Sequence, residues 1–287
     1  MSQTKHEIQS LLAAAGSHPR HRFGQNFMID QNLVRLVADA GGLTEHDLAI
    51  EVGPGTGTLT EELLARAAKV LAVEIDRDLA ALLRNRFADN PSFTLIEGDA
   101  LAGKHELNPD LSAAIRSAAD QRLRPKLVAN LPYNIASPLI IDLLLAGVEL
   151  LAFTVQKEVA HRLRAKPGTE DYGVLSAMAQ LLSRVEILRT LPPQAFWPAP
   201  RIESALVRMS RDDRLGPARA APFHGFVQQL FSMRRKTLRK GLSEAGYPAE
   251  ELLSRRGIDP QWRVEQLSPE DLLRLFDAAA GTCPSPK

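Results

Sequence analysis

Cysteine is almost missing from this chain: its 287 residues hold one, Cys283, close to the C-terminal end. One thiol closes no disulfide within the chain and builds neither a zinc ribbon nor an iron–sulfur site, which points to a reducing compartment. Histidine is scarce as well, with seven residues. His18 and His21 stand three apart but flank Pro19 in a basic segment, the setting of a solvated loop rather than of a ligand pair, so no metal is expected. Long apolar runs are lacking too. The longest, residues 139–155, is interrupted by Asp142 and Glu149 and falls short of the ~20 apolar residues that a membrane span needs. Residues 11–15 are too short for a signal-peptide core, and Glu7 with a single preceding lysine argues against a transit peptide. The expectation is a cytoplasmic protein with no membrane contact, and a monomer.

What is present is enough apolar material for a real core. At 45% hydrophobic and 24% charged, the chain is neither a disordered tail nor a disulfide-stapled mini-domain, and at roughly 150 residues per domain it should form about two domains. Net charge is only +1, but it is unevenly spread. Residues 201–240 carry ten basic side chains against three acidic ones, a local +7 that leaves −6 elsewhere.

Short β-branched runs alternate with helix-period stretches over residues 48–206, the pattern of βαβ units around a mostly parallel sheet. Seven strands are expected, at 49–52, 70–74, 93–97, 126–130, 151–155, 185–191 and 204–209, with helices at 59–68, 77–87, 138–145, 158–164 and 174–182. Thr58 and Glu61 are spaced like a capping box. Residues 102–125 are long for a connection and should add a surface helix. A polar, Arg/Pro/Gly-rich linker spans 212–222, after which Phe223, Phe226, Val227, Leu230 and Phe231 recur at helical spacing. Further helices are expected near 249–255 and 269–279. The resulting division is 1–210 and 211–287.

The run Glu51-Val52-Gly53-Pro54-Gly55-Thr56-Gly57-Thr58 follows an expected strand and opens an expected helix. Glycines there permit a tight turn and let a ligand approach the main chain at a helix N-terminus. The spacing G-x-G-x-G departs from the dinucleotide pattern, and no Gly-Lys-Ser/Thr follows, which argues against triphosphate chemistry. Glu74 ends the next strand, where an acid can accept from both ribose hydroxyls of a nucleoside, and Gly98-Asp99-Ala100 closes the third. Asp76 and Asp78 read instead as first-turn helix charges, while Glu51 is left ambiguous. The fourth strand ends in Asn130-Leu131-Pro132-Tyr133. Pro132 has no N–H and holds Leu131 extended, so the Leu131 carbonyl and the Asn130 side-chain oxygen can together face the two hydrogens of an exocyclic amine. Tyr133 offers a face for a base. Each of these features also has a plainer reading, as a tight turn or a buried aromatic.

Together the E-V-G-P-G-T-G loop, V-E-I-D, G-D-A and N-L-P-Y, in this order, resemble the S-adenosylmethionine-dependent adenine-N6 methyltransferases of ribosomal RNA. The likeness is greatest to the bacterial small-subunit (16S) rRNA adenine N6,N6-dimethyltransferase family. Phe23-Gly24-Gln25-Asn26-Phe27, Phe196-Trp197-Pro198-Ala199-Pro200 and Met233-Arg234-Arg235-Lys236-Thr237-Leu238-Arg239 add to it, and it runs from about residue 22 to 276. The resemblance implies a Rossmann-like class I methyltransferase with a seven-stranded sheet and a smaller all-helical C-terminal domain. Gln25, Asn26, the main chain at Met28, Gly53, Gly55, Glu74, Asp99, Ala100 and Asn130 would hold S-adenosylmethionine. Asn130, Leu131, Pro132 and Tyr133 would hold a flipped adenosine. Phe196 would close its pocket, or else serve as a core residue at a corner. Arg234, Arg235, Lys236, Arg239 and Lys240, on an expected helix, would contact phosphates of 16S rRNA in the assembling small subunit. The implied reaction is dimethylation of two adjacent adenosines in the 3′-terminal hairpin. The competing readings are a large-subunit rRNA adenine-N6 methylase, a nicotinamide-dependent oxidoreductase, and a non-catalytic assembly factor of the same fold.

Overall fold

Alternating apolar runs become strands and the periodic stretches between them become helices. The computed structural model describes residues 3–20, 23–103, 106–212 and 214–280, so His21, Asp213 and Cys283 lie outside the described residues. The first elements are α1 (Lys5–Ala14), β1 (Phe27–Met28), α2 (Gln31–Ala40), β2 (Asp47–Val52), α3 (Thr58–Leu64), β3 (Lys69–Glu74), α4 (Arg77–Arg86) and β4 (Phe93–Glu97). Next come β5 (Leu101–Gly103), β6 (Glu106–Leu107), α5 (Pro109–Asp120), β7 (Arg124–Asn130), α6 (Ala136–Ala146), β8 (Leu150–Gln156), α7 (Lys157–Leu163) and α8 (Val174–Leu182). The chain continues through β9 (Ser183–Leu191), β10 (Phe196–Trp197), β11 (Ser204–Arg211), α9 (Pro217–Ser232), α10 (Leu238–Glu244), α11 (Ala249–Arg256) and α12 (Pro269–Ala280).

Seven strands form one sheet in the order β4-β3-β2-β7-β8-β11-β9. The pairs from β4 to β8 are parallel, and β11 returns antiparallel to β8. The seven expected strands are all here, each shifted by at most two residues at an end. The chain steps outward from β2 to β4 and then crosses back to β7 on the opposite side of β2. That reversal opens a crevice beyond the carboxyl ends of β2 and β7, the place where open α/β sheets bind ligands. Gly53 follows one of these strands and Asn130 closes the other.

All six residues of β2 are buried, as is usual for a parallel strand covered on both faces. Its acid at the entry end is matched: Asp47 accepts from Lys126 Nζ and Arg124 Nε, both at 2.9 Å, and from Thr44 N at 2.7 Å. Burial alone would raise this carboxyl, but the Lys126 hydrogen bond, with those from Thr44, holds it below its ordinary range. The entry ends of β2 and β7 are thereby fastened together.

Two local expectations are corrected. The Thr58–Glu61 capping box does not form. Gly57, left-handed at φ 84°, is itself the cap, which makes Thr58 the first helical residue; its hydroxyl donates to Gln3 Oε1 at 2.9 Å, and Glu61 pairs with Arg86. The five basic residues from Arg234 to Lys240 do not share one helix. The helix α9 ends at Ser232, and Thr237 starts α10 by accepting from Lys240 N at 3.4 Å, so Arg234, Arg235 and Lys236 occupy the turn between them. The expected insertion helix is α5, which buries Leu111, Ile115 and Ala118 and follows a small β5–β6 ladder.

The chain divides into two compact units. Residues 1–160 and 185–211 carry the sheet, while residues 161–184 and 212–287 form the other. Within the second unit, α8 is stitched to the segment before it by Ser176 Oγ donating to the Arg162 carbonyl at 2.6 Å and by Gln180 Nε2 donating to those of Leu163 and Ala165. Phe223, Phe226, Val227, Leu230 and Phe231 all lie buried along α9. No helix among the described residues is long and apolar enough to cross a membrane.

Candidate active site

The glycine loop makes its turn with three left-handed residues, Gly53 at φ 74°, Gly55 at 62° and Gly57 at 84°. All three are also crowded, a Cβ on Gly57 lying 2.8 Å from Phe87 Cε2. A Cβ on Gly53 would lie 3.1 Å from Pro132 Cγ, and one on Gly55 would lie 2.9 Å from Phe27 Cε1. The loop is thus packed between the Asn130–Tyr133 tetrapeptide and the N-terminal segment, and only glycine satisfies both the backbone and the space. On its outer side, Gln3 Oε1 accepts from the Thr56 hydroxyl at 2.6 Å, alongside its bond from Thr58.

Glu74 is 4% exposed, yet it faces the cleft that the loop encloses. One oxygen accepts from Gly55 N at 3.2 Å and the other from Asp76 N at 2.9 Å. Burial nevertheless pushes its carboxyl up to about 7. Glu51, wholly buried beside it, is pushed up to about 8 by burial, despite accepting a bond from the Thr60 hydroxyl at 2.6 Å. Asp99 is exposed, with one oxygen accepting from Leu101 N at 3.0 Å and the other turned to no hydrogen-bond partner among the described residues. Ala100 is buried behind it.

The cleft has a volume of about 100 Å³. Its walls include Gln25, Asn26, Met28, Gly53, Gly55, Glu74, Asp99, Ala100, Asn130 and Pro132, so every residue expected to bind the cofactor lines it. The segment from Phe23 to Met28 is strapped over this edge. Arg20 bonds Asp76 at 2.7 Å and also bonds Asp78, while Gln25 donates to Asp76 Oδ2 at 3.0 Å and accepts from Arg20 N at 2.8 Å. Gln25 therefore spends its amide on holding the strap. Asp76 caps α4 and anchors the strap at once.

Asn130 joins three elements. Its Nδ2 donates to the Asn26 carbonyl at 2.7 Å, and its Oδ1 accepts from the Thr154 hydroxyl on β8. Because a carbonyl can only accept, the nitrogen must be the atom facing Asn26, which orients the amide without ambiguity. Leu131 N donates to the Thr154 carbonyl at 3.3 Å. Tyr133 is half-buried, its hydroxyl 2.6 Å from Ser204 Oγ, and burial raises its phenol. Neither Leu131 nor Tyr133 lines the cleft described above. Phe196 is 2% exposed and sits in the core with Met28, Leu191 and Leu206. The β1–β10 bridge pairs Met28 with Phe196 and Phe27 with Trp197, which explains why those distant stretches are both needed at this edge. Arg234 and Arg235 are exposed, whereas Lys236 pairs with Glu244 and Arg239 with Glu250.

Sequence reasoning missed Gln3, Arg20 and Thr154, and the bond that ties Ser204 to Tyr133. Each acts through a partner at least 24 residues away, and no local pattern marks such a residue.

A family model described as ribosomal RNA adenine dimethylase matches residues 16–281. The chain is 41% identical over 267 residues to ribosomal RNA small subunit methyltransferase A of Hahella chejuensis, covering 91% of this chain and 93% of that one. Among solved structures it is similar to a dimethyladenosine transferase from Plasmodium falciparum, with a TM-score of 0.70 and 21% identity over 88% of this chain and 98% of that one. It is also similar to the 23S rRNA methyltransferase ErmE, with a TM-score of 0.61 and 27% identity over 89% of this chain and all of that one.

Proposed function

The chain belongs to the ribosomal RNA adenine dimethylase family, and on that premise we propose that it dimethylates N6 of two adjacent adenosines in the 3′-terminal hairpin of 16S rRNA, using S-adenosylmethionine. The observation that carries this reading is the meeting, at one sheet edge, of the glycine loop, buried Glu74, exposed Asp99 and the Asn130–Tyr133 tetrapeptide. The small-subunit choice over a large-subunit methylase rests on the F-W-P-A-P and R-R-K-T-L-R stretches and on 41% identity to the small-subunit relative against 27% to ErmE.

The residues present fit the cofactor. Gly53 and Gly55 line the cleft in a left-handed turn, Glu74 has acceptor capacity for ribose hydroxyls, and Asp99 has an oxygen for an amino group. S-adenosylmethionine supplies an electrophilic sulfonium methyl, so what the chain must add is position and an amine with its lone pair exposed. Asn130 Oδ1 keeps one lone pair beyond the Thr154 bond and, with the Leu131 carbonyl, would accept the two N6 hydrogens. Holding both hydrogens in this way turns the nitrogen lone pair outward. Tyr133 would stack on the flipped base, its ring fixed by the Ser204 bond. Phe196, packed behind the strap, would close the base pocket. Arg234, Arg235, Lys236, Arg239 and Lys240 would meet RNA phosphates in the assembling subunit, with the sheet unit performing the chemistry as a cytoplasmic monomer.

The test is transfer of labelled methyl groups from S-adenosylmethionine to small subunits that lack the modification, with large subunits as the control and nucleoside analysis of the product. N6,N6-dimethyladenosine confined to small-subunit RNA is the expected result. Label on large-subunit RNA would overturn the choice of substrate.

A further inference from the structure

The aromatic residues of the helical unit pair with one another, with a single exception. Phe223 meets Phe276 at 5.5 Å, Phe226 meets Tyr247 at 5.4 Å and Phe276 at 5.5 Å, and Tyr172 meets Phe231 at 6.0 Å. Trp262, the remaining aromatic of the unit, joins none of these pairs and is 40% exposed. Part of its indole surface therefore stays open to a ligand while the rest is covered.

Its backbone is firmly held. The Trp262 carbonyl accepts from Leu238 N at 2.6 Å, the Pro260 carbonyl accepts from Arg239 N at 3.3 Å, and Trp262 N donates to the Asp259 carbonyl at 3.1 Å. The loop is therefore tied to the first turn of α10, and the indole is presented on a rigid support. That same turn bears Arg239 and Lys240, the preceding turn bears Arg234 and Arg235, and Arg263 follows Trp262 in the chain. Arg234, Arg235, Lys240 and Arg263 form no ion pair among the described residues and are exposed. Arg234, Arg235, Lys240 and Arg263 outnumber Asp259 and Glu265, the acids nearest Trp262 in its own loop, so the segments joined by these backbone bonds carry a cationic excess.

We propose that Trp262 is a stacking platform for an unpaired RNA base, set among arginines and lysines that take the flanking phosphates. An aromatic face stacks on any unpaired base, while cationic side chains neutralise the backbone on either side. The proposal rests on the rRNA reading above and adds a residue of this chain that touches a base away from the one being modified.

The experiment measures affinity of the full chain for small subunits lacking the modification, across a salt series, for Trp262→Ala, Trp262→Phe and Arg263→Ala. Trp262→Ala should weaken binding roughly five- to 150-fold, as loss of one stacked base does, with an unchanged salt slope. Trp262→Phe should recover most of this, and Arg263→Ala should reduce the slope by about one. Methyl transfer at saturating substrate should be unaltered in all three. Unchanged affinity in Trp262→Ala, or equal weakening by Ala and Phe, would overturn the platform and leave the methyltransferase reading intact. Weakening towards whole subunits but not towards protein-free small-subunit RNA would overturn it in favour of a ribosomal protein. Failure of the unaltered chain to bind either RNA would overturn both.

Discussion

The Asn130 side-chain oxygen accepts from the Thr154 hydroxyl, and this bond, with the one its nitrogen donates to the Asn26 carbonyl, sets how the amide of Asn130 is turned. Thr154 is fully buried and lies opposite Asn130 in the parallel β7–β8 register. Thr154→Val keeps the shape and removes the donor, at a cost of about 0.5–1.5 kcal/mol for the lost bond. Methyl transfer under single-turnover conditions should fall about threefold to tenfold, with cofactor affinity nearly unchanged. Thr154→Ser should restore the rate, whereas equal loss in both variants would reduce Thr154 to a packing role.

Glu74 should make cofactor binding depend on pH. Burial pushes its carboxyl up to about 7, and ribose hydroxyls, as donors, favour the ionised form. Affinity for S-adenosylmethionine should therefore rise between pH 6 and pH 8, with protons released on binding near pH 7. Calorimetry in buffers of different ionisation enthalpy reads that release directly. Glu74→Gln should bind about tenfold to a hundredfold more weakly, since a hydrogen bond to a charged group contributes ~1.5–3 kcal/mol, and its affinity should be flat across this range.

Glu51 has the opposite kind of consequence, for stability. Its folded value near 8 lies above the ordinary 4.5, so its favourable contribution is complete below pH 4.5 and is lost as pH rises through 8. Glu51→Gln keeps an acceptor for Thr60 and has no charge to bury. The melting temperature of Glu51→Gln should overtake that of the unaltered chain by an increasing margin from pH 6 to pH 9. A constant difference across that range would mean that Glu51 does not titrate there.

Gly53 couples the glycine loop to the tetrapeptide. Alanine at φ 74° costs about 1–2 kcal/mol for the left-handed backbone, and its methyl would press on Pro132. Gly168→Ala is the control, with φ at 80° and nothing within 4 Å of the added carbon. Gly53→Ala should lose more stability than Gly168→Ala in denaturant unfolding, and it alone should lower methyl transfer.

Much of the site was legible because it consists of strand ends. Gly53, Glu74, Asp99 and Asn130 each follow a short apolar run, and parallel strands bring such ends to one edge whatever else the chain does. Phe196 was less legible. Its neighbours Met28 and Leu206 come from distant segments, and only the β1–β10 bridge decides that the ring is enclosed. The basic run misled in a different way. Its helical composition continues across Thr237, but a threonine that can cap starts a new helix there and breaks the row.

The sequence by itself therefore determined the sheet, the order of its motifs and the chemistry they suit, because strand periodicity, glycine turns and strand-end acids are local properties. Tertiary structure alone decided how the amide of Asn130 is turned, which residues strap the cleft, and which aromatic stays outside the core. Those depend on Thr154, Arg20 and Trp262 meeting partners brought close by folding, and a hydrogen bond between segments leaves no trace in the spacing of either one.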